Sequence, residues 1–166
     1  MTSHPSTLAA VLAGAARVAL GALWVNEGMI KYRAGFGAAD IQLVADSASG
    51  NSRVPAFFQG FAGTVLGGAP ELFGVLMPLL EVGLGVALVL GVLALPAALM
   101  SVFTLMSYWL ADQLTDTYPV MVLLAVVVIA WTQAAARFSV TTLVETAVRR
   151  RDPASRWFAD PLRRWL

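Results

Sequence analysis

No cysteine occurs in the 166 residues, and the one histidine is His4. The first absence excludes a disulfide, a thiolate nucleophile, a CxxC redox pair and an iron–sulfur site. The second leaves the interior without the usual axial ligand of a b-type haem. No haem, iron–sulfur cluster or metal is therefore expected, and any electrons that pass through are carried by a diffusible or partner-held cofactor. Charge is scarce as well. Charged residues make up 13% of the chain, where a soluble domain carries about 25%. Against this stand 58% hydrophobic residues and a mean hydropathy of +0.75. This is the composition of an integral membrane protein with little room for a separate soluble domain. The net charge of +1 makes no case for nucleic acid, which is not expected as a partner. The residues before Arg17 lack a basic n-region, and Arg17 interrupts the apolar run behind them, so no cleaved signal peptide is expected.

A membrane span needs about 20 apolar residues. Four candidates occupy residues 8–30, 71–94, 97–114 and 117–136. The stretch from Val82 to Ala111 carries no charge, and "ALPA" at 94–97 is its only break, so a tight hairpin is expected there. The expected fold is all-α: an integral membrane four-helix bundle over residues 1–137, followed by a basic amphipathic cytoplasmic tail over 138–166. Arginines 137, 149, 150, 151, 156, 163 and 164 follow the last span, while the long loop between the first two spans holds Lys31, Arg33 and Arg53 and the loop between the last two holds only Asp112 and Asp116. The positive-inside rule then places both termini in the cytoplasm of a multi-pass cytoplasmic-membrane protein.

The external loop, residues 32–69, is long for a passive connection. Its front half is polar and turn-rich, and its rear half clusters Phe57, Phe58 and Phe61. It reads either as a short helix at the outer interface or as a lid over a cavity. In the tail, "DPASRWF" and "DPLRRWL" each place Asp before Pro, which suits a helix start. On one helix Trp157, Phe158, Pro161, Leu162, Trp165 and Leu166 fall on one side, with Arg156, Arg163 and Arg164 largely elsewhere. Such a C-terminal amphipathic helix either lies on anionic lipid of the inner leaflet or docks on a partner.

Two stripes mix small residues with one ionisable group each. Arg17, Gly21, Trp24, Gly28 and Lys31 share a face of span one, and Gly74, Pro78, Glu81, Gly85 and Leu88 share a face of span two. Small residues let helices approach closely. Arg17 and Glu81 both fall near mid-membrane at ~1.5 Å per residue, where an unpaired charge costs roughly 2.5–3.5 kcal/mol. They are expected to pair. Glu27 and Lys31, an i, i+4 pair in the favourable order, would line an outer mouth. The Arg17–Glu81 pair is either a clamp on helix register or the polar floor of a pocket, to which Trp24, Thr104, Tyr108, Trp109, Trp131 and Gln133 could add. Aromatics with one arginine and one carboxylate suit a quinone ring, whose carbonyls accept hydrogen bonds, and would suit other amphiphiles.

The same residues carry a resemblance. "RVALGALWVNEGMIKY" resembles the first-helix signature of the DoxX/DoxD family, at Arg17, Leu20, Gly21, Trp24, Gly28 and Lys31. "PLLEVGLGVALVLGVL" resembles its second-helix pattern, at Glu81, Gly85, Leu90 and Gly91. The resemblance covers roughly residues 8–137 and implies four membrane helices. Some members are the membrane subunit of thiosulfate:quinone oxidoreductase, and others resemble accessory partners of soluble redox enzymes. The long external loop and the basic aromatic tail look like extensions of the family pattern.

The reading that follows is a non-autonomous membrane subunit of a quinone-linked oxidoreductase or respiratory assembly, with a non-covalent quinone the one cofactor considered. Its partners would be the bilayer and other membrane or peripheral redox subunits. The alternatives are an accessory subunit that binds no substrate and a small-molecule transporter. No residue is expected to be catalytic in this chain alone, since Glu27 and Glu81 are the only proton-handling groups near the spans.

Overall fold

The computed structural model describes residues 6–153, 155, 156, 158, 159, 163 and 165. Among them there are eight α-helices, one π-helical turn and no strand. Helix α1 (Thr7–Ala34) starts where the Ser6 hydroxyl accepts from Ala9 N and stops at Gly35, whose φ of 69° only glycine adopts without strain. Phe36 N donates to Lys31 O and Gly35 N to Tyr32 O, which satisfies carbonyls that a helix end otherwise leaves unpaired. Helix α4 (Pro70–Leu90) opens on a proline, whose missing N–H costs nothing there, and closes on Gly91 with the same pair of bonds. These two helices are long and apolar enough to cross a membrane. Helices α5 (Ala94–Leu110) and α6 (Thr117–Ala130) are apolar but shorter.

Four features differ from expectation. The turn after α4 is at Gly91–Leu93, both with positive φ, rather than at 94–97. Pro96 falls in the first turn of α5, where a backbone N–H would have no intrahelical acceptor and its lack costs no helix bond. The last expected span is broken at Trp131 (φ −121°, ψ 42°), leaving α7 (Thr132–Ala135) as a separate turn. The 32–69 segment holds α2 (Ala38–Gly50) in its polar front half and α3 (Ala56–Phe61) in its apolar rear half, the latter running into the π-turn Ala62–Leu66. The tail begins with helix α8 (Val140–Arg151), and Asp152 ends that helix instead of starting one. Trp157, Asp160, Pro161, Leu162, Arg164 and Leu166 lie outside the described residues, and with them most of the expected C-terminal helix.

The core runs between α1 and α4, which pack along most of their length, with α6 and α7 against α1 and α5 against α6. Its closest approach is made by glycines. A Cβ on Gly21 would sit 2.8 Å from the Gly85 carbonyl oxygen, and one on Gly85 would sit 2.6 Å from Val25 N. About two turns further on, Gly28 meets Val82 and the Pro78 carbonyl. The interior is sparsely polar, and large apolar side chains point outward. Leu8, Leu72, Val75, Phe103, Trp109 and Leu123 are all more than half exposed.

Candidate functional site

The antiparallel glycine contacts fix the register of α1 on α4. Gly21 is opposite Gly85 and Val89, and Gly28 is opposite Pro78 and Val82. Glu81 therefore lies level with the end of α1 near Gly28, about ten residues or ~15 Å along the helix from Arg17. The expected Arg17–Glu81 pair does not form. Lys31 Nζ lies 2.7 Å from Glu81 Oε1 instead, and the Tyr108 hydroxyl donates to the same oxygen at 2.5 Å. Lys31 thus turns to Glu81 rather than to Glu27, which stays half-buried on the same helix.

Arg17 has a different task. Its guanidinium, 2% exposed, donates to four main-chain carbonyls: Leu88 and Val89 from Nη1, Ala135 from Nε and Phe138 from Nη2. Leu88 and Val89 belong to the last turn of α4, and Ala135 is the last residue of α7. Helix C-termini expose unpaired carbonyls and a partial negative charge. A guanidinium, with five donors in a fixed fork, can meet two such ends at once. No carboxylate is needed to hold Arg17 in the interior.

The other expected pocket residues scatter. Trp24 is fully buried, its indole N–H 2.8 Å from Ser101 Oγ, which in turn donates to Ala97 O. Trp109 points outward at 60% exposure, as does Trp131. Gln133 is exposed on α7, at the end of the bundle that Arg17 caps. Of the eight residues expected around the pocket, only Glu81, Thr104 and Tyr108 come together, and Lys31 joins them.

Lys31, Thr104 and Tyr108 line one end of a cavity of ≈ 250 Å³. The ammonium of Lys31 sits 5.4 Å from the Tyr108 ring centre and 5.8 Å from that of Phe36, within cation–π range. Most of the rest of the wall is apolar, with Met77 and Leu80 from α4, Phe103 from α5, and Ile41, Val44 and Phe58 from α2 and α3, and Ser107 and Gln113 also line it. Thus the 32–69 segment is largely helical, and its α2 and α3 cover the cavity. Phe61 and Phe103 line the cavity and are also well exposed, so its mouth opens on the apolar outer face of the bundle. Glu81 Oε2 and Thr104 Oγ1 are buried without a hydrogen-bond partner. A polar atom left in that state costs about 1–3 kcal/mol; Thr104 lines the cavity, and Glu81 is bonded to Lys31 and Tyr108, which also line it.

One carboxylate clips the lid to the bundle. Asp112 Oδ2 accepts from Asn51 Nδ2 (2.8 Å) and from Arg53 Nε (3.0 Å) and Nη2 (2.5 Å). The Arg53 guanidinium, with help from the Asn51 amide, holds the Asp112 carboxyl below its ordinary value. A depressed carboxylate binds fewer protons folded than unfolded, so the clip contributes fully above about pH 4 and weakens as pH falls through the depressed value. Amide exchange at residues 51–54 should accelerate relative to α1 between about pH 6 and about pH 3. A constant ratio over that interval would show that the clip does not anchor this corner.

The lid was the part of the site hardest to place from sequence, yet it carried a signal. Ile41, Ala45 and Ala48 are its buried residues, at helical spacing within a segment whose polarity suggests turns. Comparison with known proteins adds no assignment: no family model, curated protein or solved structure matches this chain.

Proposed function

We propose that the chain is a four-helix membrane bundle with both ends on the cytoplasmic side. In this reading it serves as a non-autonomous subunit of a quinone-linked oxidoreductase or respiratory assembly and holds a quinone ring beneath the α2–α3 lid. The observation that carries this reading is the covered cavity, with aromatic walls and one polar end. Its volume exceeds the ~150 Å³ of an apolar cavity that admits benzene, so a substituted ring fits while a long tail must leave through the mouth. Quinone carbonyls accept hydrogen bonds. Lys31 has ammonium protons beyond the one given to Glu81, and Thr104 has an unused hydroxyl. A quinone would supply the electron-carrying chemistry that the chain's own residues lack, and Lys31, Thr104 and Tyr108 would orient its ring.

The membrane setting is supported by α1 and α4, by the outward apolar side chains and by the arginines gathered after α7. The resemblance to the DoxX/DoxD family supports the same reading. One observation favours the accessory alternative: the motif residues Arg17, Gly21, Gly28, Gly85 and Gly91 hold helices together rather than line the cavity.

Extraction in mild detergent followed by mass spectrometry of bound lipids separates the two. The cavity reading expects a quinone to accompany the chain, and Thr104→Val with Tyr108→Phe to lower its occupancy by about tenfold, the equivalent of one lost hydrogen bond. Co-purification with a membrane redox complex and no bound quinone would establish the accessory role instead.

A further inference from the structure

We propose that α8, at the end of the bundle capped by Arg17, is a docking surface for anionic phospholipid headgroups of the bilayer in which the chain sits. The inference rests on the membrane reading above but not on the cavity. Helix α8 is a fixed platform. Its N-cap Ser139 accepts from Thr142 N, Thr141 Oγ1 donates to Gly91 O at 2.9 Å, and Arg17 donates to Phe138 O immediately before it. These contacts tie the helix to the end of α4.

The outward face of this platform is of two kinds. Val140, Leu143, Val144 and Ala147 recur at three- and four-residue spacing and are exposed, forming an apolar stripe. One turn on, the stripe ends in Arg150 and Arg151, both exposed, with exposed Arg156 just beyond the helix. The acid on α8 does not oppose them. Glu145 is engaged by Arg149 at 3.0 Å and by Arg163 at 2.5 Å, which folds the following segment back on the helix. Arg150, Arg151 and Arg156 make no ion pair among the described residues. A short apolar stripe flanked by unpaired arginines complements an anionic lipid surface, which offers acyl chain to the first and phosphate to the second.

The test uses the full chain in nanodiscs of pure phosphatidylcholine or of phosphatidylcholine with one-third phosphatidylglycerol, read by amide exchange over 140–151. Each arginine near an anionic surface strengthens the contact several-fold, so protection about tenfold higher or more is expected with phosphatidylglycerol. High salt should erase the gain, and so should the triple variant Arg150→Gln, Arg151→Gln, Arg156→Gln, with no change in melting temperature. Arg149→Gln should preserve the lipid effect, because that side chain serves Glu145. Equal protection in both lipids, or a gain that survives the triple variant, overturns the proposal. So does protection that appears only with a protein partner from native membranes. A chain that never enters the nanodisc would refute the membrane reading itself, a separate result.

Discussion

Gly85→Ala should destabilise the protein by about 3 kcal/mol, and Gly83→Ala, two residues away, should stabilise it by up to about 1 kcal/mol. The chemistry of the two substitutions is identical. At Gly83 an added Cβ meets nothing within 4 Å, so the helix gains the ordinary preference for alanine over glycine. At Gly85 the same Cβ would stand 2.6 Å from Val25 N and 2.7 Å from the Gly21 carbonyl oxygen. Both are backbone atoms of α1, which cannot rotate aside as a side chain would. The helices must separate, and the contacts along the rest of the seam are lost with them. Thermal unfolding in one detergent reads both variants. Equal melting temperatures for the pair would mean that the α1–α4 crossing is not the tight contact described.

Lys31→Met should cost about 3–5 kcal/mol, because it leaves the buried Glu81 without its cation. Adding Glu81→Gln should recover much of that loss, since a neutral amide tolerates the site and can still accept from Tyr108. Arg17→Met should also destabilise, by leaving four carbonyls short of a donor, yet Glu81→Gln should add to that loss and not relieve it. Double-mutant cycles therefore place a coupling between positions 31 and 81 and none between 17 and 81. Relief of Arg17→Met by Glu81→Gln would reverse the assignment of partners made from the structure.

That reversal is also where reading the sequence stopped short. The stripes Gly21–Gly28 and Gly74–Gly85 were legible as close-packing faces, and the structure packs Gly21 and Gly28 against Gly85, Val82 and Pro78, while Gly74 receives the backbone of Gly37 and Ala38 instead. The two interior charges were legible as requiring partners. Which partner each takes depends on axial register, and a shift of three turns exchanges one answer for another. The glycines held that register: opposing Gly21 to Gly85 brings Lys31, not Arg17, within reach of Glu81. A guanidinium satisfied wholly by main-chain carbonyls leaves no residue-type signature, because its acceptors are the ends of helices and not side chains. The lid was obscured for another reason. Gln42, Asp46, Ser47 and Ser49 give α2 a wet outer face, and composition averaged over the segment hides the apolar side that closes the cavity.

The cap built around Arg17 joins parts of the chain made at very different times. Its acceptors lie 71 to 121 residues downstream. As the nascent polypeptide leaves the ribosome, helix α1 must therefore wait for the main-chain acceptors of its guanidinium until Phe138 has been synthesised. A ribosome that stops before Ala135 releases a product with an open hydrogen-bonding fork, and quality-control proteases gain a feature by which to tell it from the finished molecule.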